Sequence, residues 1–211
     1  MKDKILHTAR DLAVAYGVKS ITMDDIANKV GCSKKTLYKF FANKEELLFE
    51  VAKHFQSFLH NHIREILQED LNAIEENFKI RKIFKDLVHI SDSSPIFQMR
   101  KYYPKVYEFI MNNEKETSLG FIEQNIKSGI VQGLYREDTN IENAKQFYFV
   151  LMTSIHESEA PIAIQEMEID ILGYHTRAIA TPKGVIEFEK QLKQFYTNQN
   201  LWKSSLSGRC A

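Results

Sequence analysis

Along the first seventy residues, apolar positions recur at steps of three and four, which puts them on one face of a helix. Ile5, Ala9, Leu12, Ala13 and Tyr16 form such a face, and Gly17 follows where a left-handed cap would stop the helix. Thr22 precedes Met23-Asp24-Asp25, a capping-box start for a second helix with Ile26, Ala27 and Val30 inward and Gly31 at its end. Ser33 is a good N-cap for a third, short helix from Lys34 to Phe41, with Leu37, Phe40 and Phe41 turned inward at i, i+3, i+4. Asn43 caps a fourth, and Glu46 completes a second box. The stripe Leu47, Val51, Phe55, Phe58, His62 and Ile66 predicts that this helix is long, reaching about Asp70.

Further on the helical pattern continues with softer boundaries. Helices are predicted from Ala73 to Ile90, ending at the Ser91-Asp92-Ser93-Ser94-Pro95 break, then a shorter one to Tyr103 and a long one from Pro104 to about Gln132. Gly133 to Asn140 reads as a turn, and Ile141 to Glu157 carries Ala144, Phe147, Tyr148, Leu151, Met152 and Ile155 on one stripe. Residues 160 to 181 are the least legible. A last helix is predicted from Pro182 or Lys183 to about Asn198, burying Val185, Phe188, Leu192, Phe195 and Tyr196, with a Ser-rich loose tail over 199–211. With 8 Gly and 4 Pro in 211 residues, the expected fold class is all-α.

Charge and cysteine usage narrow the function. Lys+Arg and Asp+Glu are equal at 28 each, so the chain is not coated in nucleic acid along its length, but a local basic patch remains open. One patch is evident: the outward face of the third helix is Lys34, Lys35, Tyr38 and Lys39, with Thr36 near its start. Charge for affinity, with hydroxyls and amides for register, suits a phosphate-lined groove. Cys32 and Cys210 are too few and too far apart to suggest a disulfide framework or a metal site, and the reading is a reducing, cytoplasmic protein. The chain enters a charged amphipathic segment at once, with no signal peptide. The apolar run Phe147 to Ile155 is too short to span a membrane. His54, His60 and His62 share a helix without the i, i+4 spacing of a ligand pair, and His156-Glu157 lacks partners at usable spacing, so no metal and no cofactor are expected.

Ile26-Ala27, Gly31-Cys32-Ser33, Thr36-Leu37-Tyr38, Phe41 and Asn43-Lys44-Glu45-Glu46-Leu47 together strongly resemble the DNA-binding domain of TetR-family transcriptional regulators, over roughly Ile5 to Val51. Two positions depart from that pattern. Cys32 stands where a small aliphatic residue is usual, and Lys35 where many members have Gly or another small residue.

The resemblance implies a helix-turn-helix domain at 1–50 and a helical ligand-binding and dimerisation domain at 51–198. It implies that Thr22 and Lys44 hold backbone phosphates, that Ser33, Lys34, Lys35 and Thr36 enter the major groove, and that Tyr38 and Lys39 reach flanking phosphates. The expected partners are double-stranded operator DNA, a second copy of the chain and a small, mostly apolar effector that releases a repressor from its operator. The effector pocket is expected at Phe58, His62, Phe84, Tyr103, Phe109 and Phe121. The dimer interface is expected on the helices carrying Phe147, Leu151 and Ile155 and Phe188, Leu192 and Phe195. No nucleophile–base pair, carboxylate dyad or Gly-rich phosphate loop can be placed, so no enzyme is expected. The competing readings are an architectural DNA-binding protein of the same fold without an effector, and a helical ligand carrier.

Overall fold

Caps written in the sequence start the N-terminal helices, α1 (Lys2–Tyr16) excepted. In the computed structural model, which describes residues 1–88, 95–157 and 164–207 with side chains at 1–84, 96–157 and 166–197, Thr22 opens α2 (Met23–Val30). Its hydroxyl accepts from the Asp25 amide at 3.1 Å, and the Asp25 carboxylate accepts from the Thr22 amide at 2.8 Å. Two orphan donors are thereby satisfied. Ser33 caps α3 (Lys34–Tyr38) by accepting from the Thr36 amide at 3.0 Å, and Asn43 caps α4 (Lys44–Ile66) by accepting from Glu46 at 2.9 Å. Between α2 and α3 the chain must reverse, and Gly31 takes a left-handed conformation at φ 77° that a side chain would strain.

Ile5, Leu6, Ala9, Val18, Ile26, Leu37, Phe41, Leu47 and Leu48 bury one another in a first core. This core extends beyond residue 50: Val51, Ala52, Met99 and Val106 belong to it. Two side chains expected inward are not. Tyr16 is exposed because the helix ends on it, and Phe40 is 40% exposed because α3 closes at Tyr38 and a turn carries Phe40 out of the helical register.

Six more helices follow among the described residues: α5 (Ala73–Val88), α6 (Pro95–Tyr102), α7 (Pro104–Val131), α8 (Ile141–His156), α9 (Ile164–Ile179) and α10 (Pro182–Ser207). Ala73, Ile74, Phe78, Ile126, Tyr135, Tyr148, Ile169, Leu172, Ile179 and Phe188 form a second core. The loop after α7 is tied to the α9–α10 turn by Arg136 N donating to Ile179 O at 2.8 Å and Thr181 N donating to Leu134 O at 2.9 Å. Gly129 permits this: a Cβ there would overlap the ring of Tyr135. The backbone of α10 continues as helix to Ser207, past the predicted end at Asn198. The expected break at 91–94 and the tail residues 208–211, Cys210 included, lie outside the described residues. No described helix is long and apolar enough to cross a membrane.

Candidate nucleic-acid interface and internal cavity

The surface of α3 is set by which of its residues are taken inward. Leu37 and, just beyond the helix, Phe41 are buried, leaving Lys34, Lys35, Tyr38 and Lys39 exposed on the other side. Lys34 Nζ lies 2.9 Å from Asp24 of α2, and that hydrogen bond raises its pKa. Ser33 Oγ and Thr36 Oγ1 share a hydrogen bond at 2.8 Å at the helix start. Thr22 is exposed, but its hydroxyl donates to Asp25 at 2.6 Å and holds that carboxyl below its ordinary range. Lys44 is directed elsewhere. Its ammonium donates to the carbonyls of Ile21 and, at 3.4 Å, Lys19, and lies 5.5 Å from the centroid of the Tyr103 ring. In this arrangement it fastens the α1–α2 turn to α4.

A cavity of about 310 Å³ lies between the two cores. Ala13, Val14 and Val18 of the N-terminal unit close one side. Val51, Phe55, Gln56, Leu59 and Ile63 of α4 run along it, and Arg81, Phe84, Phe121, Ile122, Tyr148, Met152 and His156 complete the wall. Its polar groups are few and mostly engaged. Gln56 Nε2 donates to Ile110 O at 3.1 Å and to Glu114 at 3.3 Å, and Glu114 also accepts from Ser118 at 2.8 Å and lies 3.0 Å from His60 Nε2. Asn125 Nδ2 donates to Ala73 O at 2.7 Å and Glu76 at 2.8 Å. His156 Nε2 lies 2.9 Å from Glu168; burial pushes that carboxyl up, but His156 and Arg81 outweigh it and hold it below the usual range. Just outside the wall, Tyr107 donates to Glu157, and burial with that carboxylate pushes the phenol up to about 12.

Of the six aromatic and histidine positions expected to line a pocket, Phe84 and Phe121 do so. Phe58 and His62 instead pack against each other along the flank of α4, ring centroids 4.1 Å apart and planes tilted by 40°. Phe109 meets Phe49 edge-on at 5.6 Å beneath Lys53, and Tyr103 packs against the first core under Lys44. Of the expected stripe on α4, Leu47, Val51 and Ile66 are buried and Phe55 lines the cavity, but Phe58 and His62 fall one position short of the inward Leu59 and Ile63. Gln56 occupies an inward place, and a polar residue there shifts the apparent face from Ala52, Gln56, Leu59 and Ile63 to Phe58 and His62. Gln56, Arg81, Asn77, Tyr148 and His156 were missed as pocket residues because they converge from three helices, α4, α5 and α8. The single sequence cue was a polar residue within a helix's apolar stripe, at Gln56. Among the described residues no three His, Cys, Asp or Glu side chains gather to hold a metal.

The expected dimer positions divide. Phe147 and Leu151 of α8 are 67% and 45% exposed, with Val150 beside them, forming an apolar stripe that no described residue covers. Ile155, Phe188, Leu192 and Phe195 face the chain's own second core, Phe188 at 1% exposure and Phe195 against Phe78 at 5.8 Å. Thus α10 packs on α5 and α9 instead of presenting these residues outward. The outward aromatic beside α8 is Tyr174 of α9.

A lysine-faced helix-turn-helix fused through one continuous helix to a helical bundle defines a DNA-binding transcriptional regulator. The family model for bacterial regulatory proteins of the tetR family matches residues 5–51. The chain is 23% identical over 150 residues to the HTH-type transcriptional repressor KstR2 of Mycolicibacterium smegmatis, covering 69% of this chain and 73% of that protein. Its fold resembles a transcriptional regulator from Cytophaga hutchinsonii at TM-score 0.67 and 20% identity, covering 85% of this chain and 98% of that one. It also resembles the regulator FadR from Bacillus subtilis in complex with stearoyl-CoA, at TM-score 0.62 and 19% identity over 83% and 98% of the two chains. Residues 5–51 are thus a DNA-binding domain of the bacterial tetR type, and the helical bundle behind it shares the fold of solved transcriptional regulators.

Proposed function

We propose that this regulator is a dimeric repressor that leaves its operator when a small, mostly apolar molecule fills the cavity between its two cores. The observation that carries the reading is the composition of the cavity wall: Ala13, Val14 and Val18 from the DNA-binding unit and Tyr148 and Met152 from α8 enclose the same space. A ligand there presses on α1 and α4 together, and α4 begins in the DNA-binding unit and ends in the bundle. FadR of Bacillus subtilis, which shares the fold, was solved with stearoyl-CoA. That precedent supports a ligand-responsive bundle.

Two copies would pair through the exposed stripe Phe147, Val150 and Leu151 of α8 with Tyr174 of α9, and the two α3 helices would enter successive major grooves about 34 Å apart. In that arrangement Lys35, Tyr38 and Lys39 contact DNA, Ser33 and Thr36 orient α3, and Lys34 exchanges Asp24 for a phosphate. Thr22 contributes the start of α2, and Lys44 positions the unit. Fluorescence anisotropy with DNA from the protein's own upstream region, across a salt series, tests this. Saturable binding to one near-palindromic site, weakening steeply with salt, is expected; weak, sequence-indifferent binding to every fragment of its genome would overturn it.

A further inference from the structure

The wall of the cavity holds two arginines, and they differ. Arg10 donates from Nε and Nη2 to Asp11 at 2.9 and 2.7 Å. Arg81 donates no hydrogen bond to any described residue. Its nearest acceptor is Glu168, 3.6 Å from Nη1, which balances its charge without using its N–H groups. The guanidinium instead lies over the Phe84 ring, 4.6 Å from the centroid, with its side chain only 13% exposed. Glu168 is already engaged by His156.

A guanidinium out of bulk water with unspent donors is a costly arrangement unless something accepts from it. Its planar fork matches the two oxygens of a carboxylate. Beside it, the Tyr148 hydroxyl also makes no hydrogen bond to a described residue, and the buried ring stacks on His175. Burial raises the pKa of that phenol, so it remains a donor at neutral pH. Glu114, the carboxylate elsewhere in the wall, already has three polar partners, so an ammonium head finds no comparable vacancy among acceptors.

We propose that the cavity takes a medium-chain carboxylate, its oxygens held by Arg81 and the Tyr148 hydroxyl and its hydrocarbon lying along Leu59, Ile63, Phe121 and Met152. The proposal rests on the reading of the cavity as an effector site and names the effector's class. The volume of about 310 Å³ sets the size: at roughly 25–30 Å³ per methylene-sized group, it holds about ten to twelve non-hydrogen atoms, the size of decanoate.

Calorimetric titration at pH 7.5 with decanoate, decanol and decyltrimethylammonium, each kept below its micellar concentration, tests it without DNA. Decanoate is expected to bind once per chain and roughly 10- to 100-fold more tightly than decanol, the difference of one charge-assisted bidentate pair. Arg81→Gln should remove that preference and leave decanol binding unchanged. Arg81→Lys, which keeps the charge opposite Glu168 if the Gln variant unfolds, should retain part of it. Glu168→Gln should tighten decanoate binding by removing a carboxylate that repels the ligand's own and shares the charge of the guanidinium. Equal affinity for decanoate and decanol, an unaltered preference in both Arg81 variants, or preference for the ammonium would each overturn the assignment. Because the titration contains no DNA, its failure leaves the operator-binding reading intact. Failure of operator binding in turn leaves the titration interpretable.

Discussion

Lowering the pH from 7.5 to 5.0 should destabilise this protein through one buried imidazole. His175 of α9 is stacked on Tyr148 of α8, centroids 4.4 Å apart and planes 28° from parallel. Burial depresses its pKa from 6.5 to about 4, so the folded chain holds it neutral. Between those values the unfolded chain binds a proton that the folded chain refuses. Stability from this group is therefore complete above pH 6.5 and is lost as pH falls towards 4. With about 1.4 kcal/mol per pKa unit, the loss is about 2 kcal/mol at pH 5 and levels off near about 3 kcal/mol below pH 4. Carboxylates held below their usual range, Glu168 among them, also lose stability in acid, so the wild-type curve alone does not isolate the histidine. His175→Phe does, keeping a ring against Tyr148 and removing the titration. Urea unfolding followed by circular dichroism, at pH 7.5 and 5.0 and one protein concentration, gives both differences. Wild type should lose about 2 kcal/mol more than the variant over that interval. Parallel losses would refute the argument, because they would mean that water or a carboxylate reaches the ring.

Lys35→Ala should weaken operator binding and reduce the slope of log affinity against log salt by about 1, whereas Lys44→Ala should chiefly lower the melting temperature, since its ammonium holds the carbonyls of Ile21 and Lys19. Anisotropy and thermal melts on both variants separate the two roles. Gly129→Ala forces a methyl into the Tyr135 ring, and overpacking of this kind should cost about 3 kcal/mol, visible as a melting point lower by roughly 6–12 °C. Phe147→Glu changes a side chain that is 67% exposed in the single chain; it should leave the fold intact while sedimentation shows monomers. A dimer that survives it places the interface elsewhere.

The parts legible in the sequence are those whose physics is local. Thr22, Ser33 and Asn43 each act within three residues of themselves, so the starts of α2, α3 and α4 could be read from the chain alone. The outward lysines of α3 followed from the inward Leu37 for the same reason. Reading failed where burial is not one-sided. In α9, Ile169, Ile171, Leu172, Gly173, His175, Thr176 and Ile179 are all buried, with Glu168 among them. A helix enclosed on most sides keeps only a narrow exposed edge, here Glu166, Asp170, Tyr174 and Arg177, to reveal its period, and Gly173 with polar residues in the middle reads as a break. Helix α10 was found, but its stripe was assigned to a partner chain. A stripe states that a face is covered without saying by what, and here Phe78 of α5 covers it.

The cavity shows the same limit from the functional side. Its distinguishing groups, Arg81 on α5, Tyr148 on α8 and Glu168 on α9, are separated by 67 and 20 positions and come together only when the helices pack. A DNA-binding surface serves any operator with the same few residue types on one short helix, because every operator presents the same phosphates. A ligand cavity serves one molecule and is assembled from single residues of many helices, each placed by packing and not by a local rule. That difference explains why the first fifty residues resemble a family while the bundle resembles it only as a fold. The identity of the effector therefore has to be sought in an unspent donor such as Arg81, which no periodicity would have singled out.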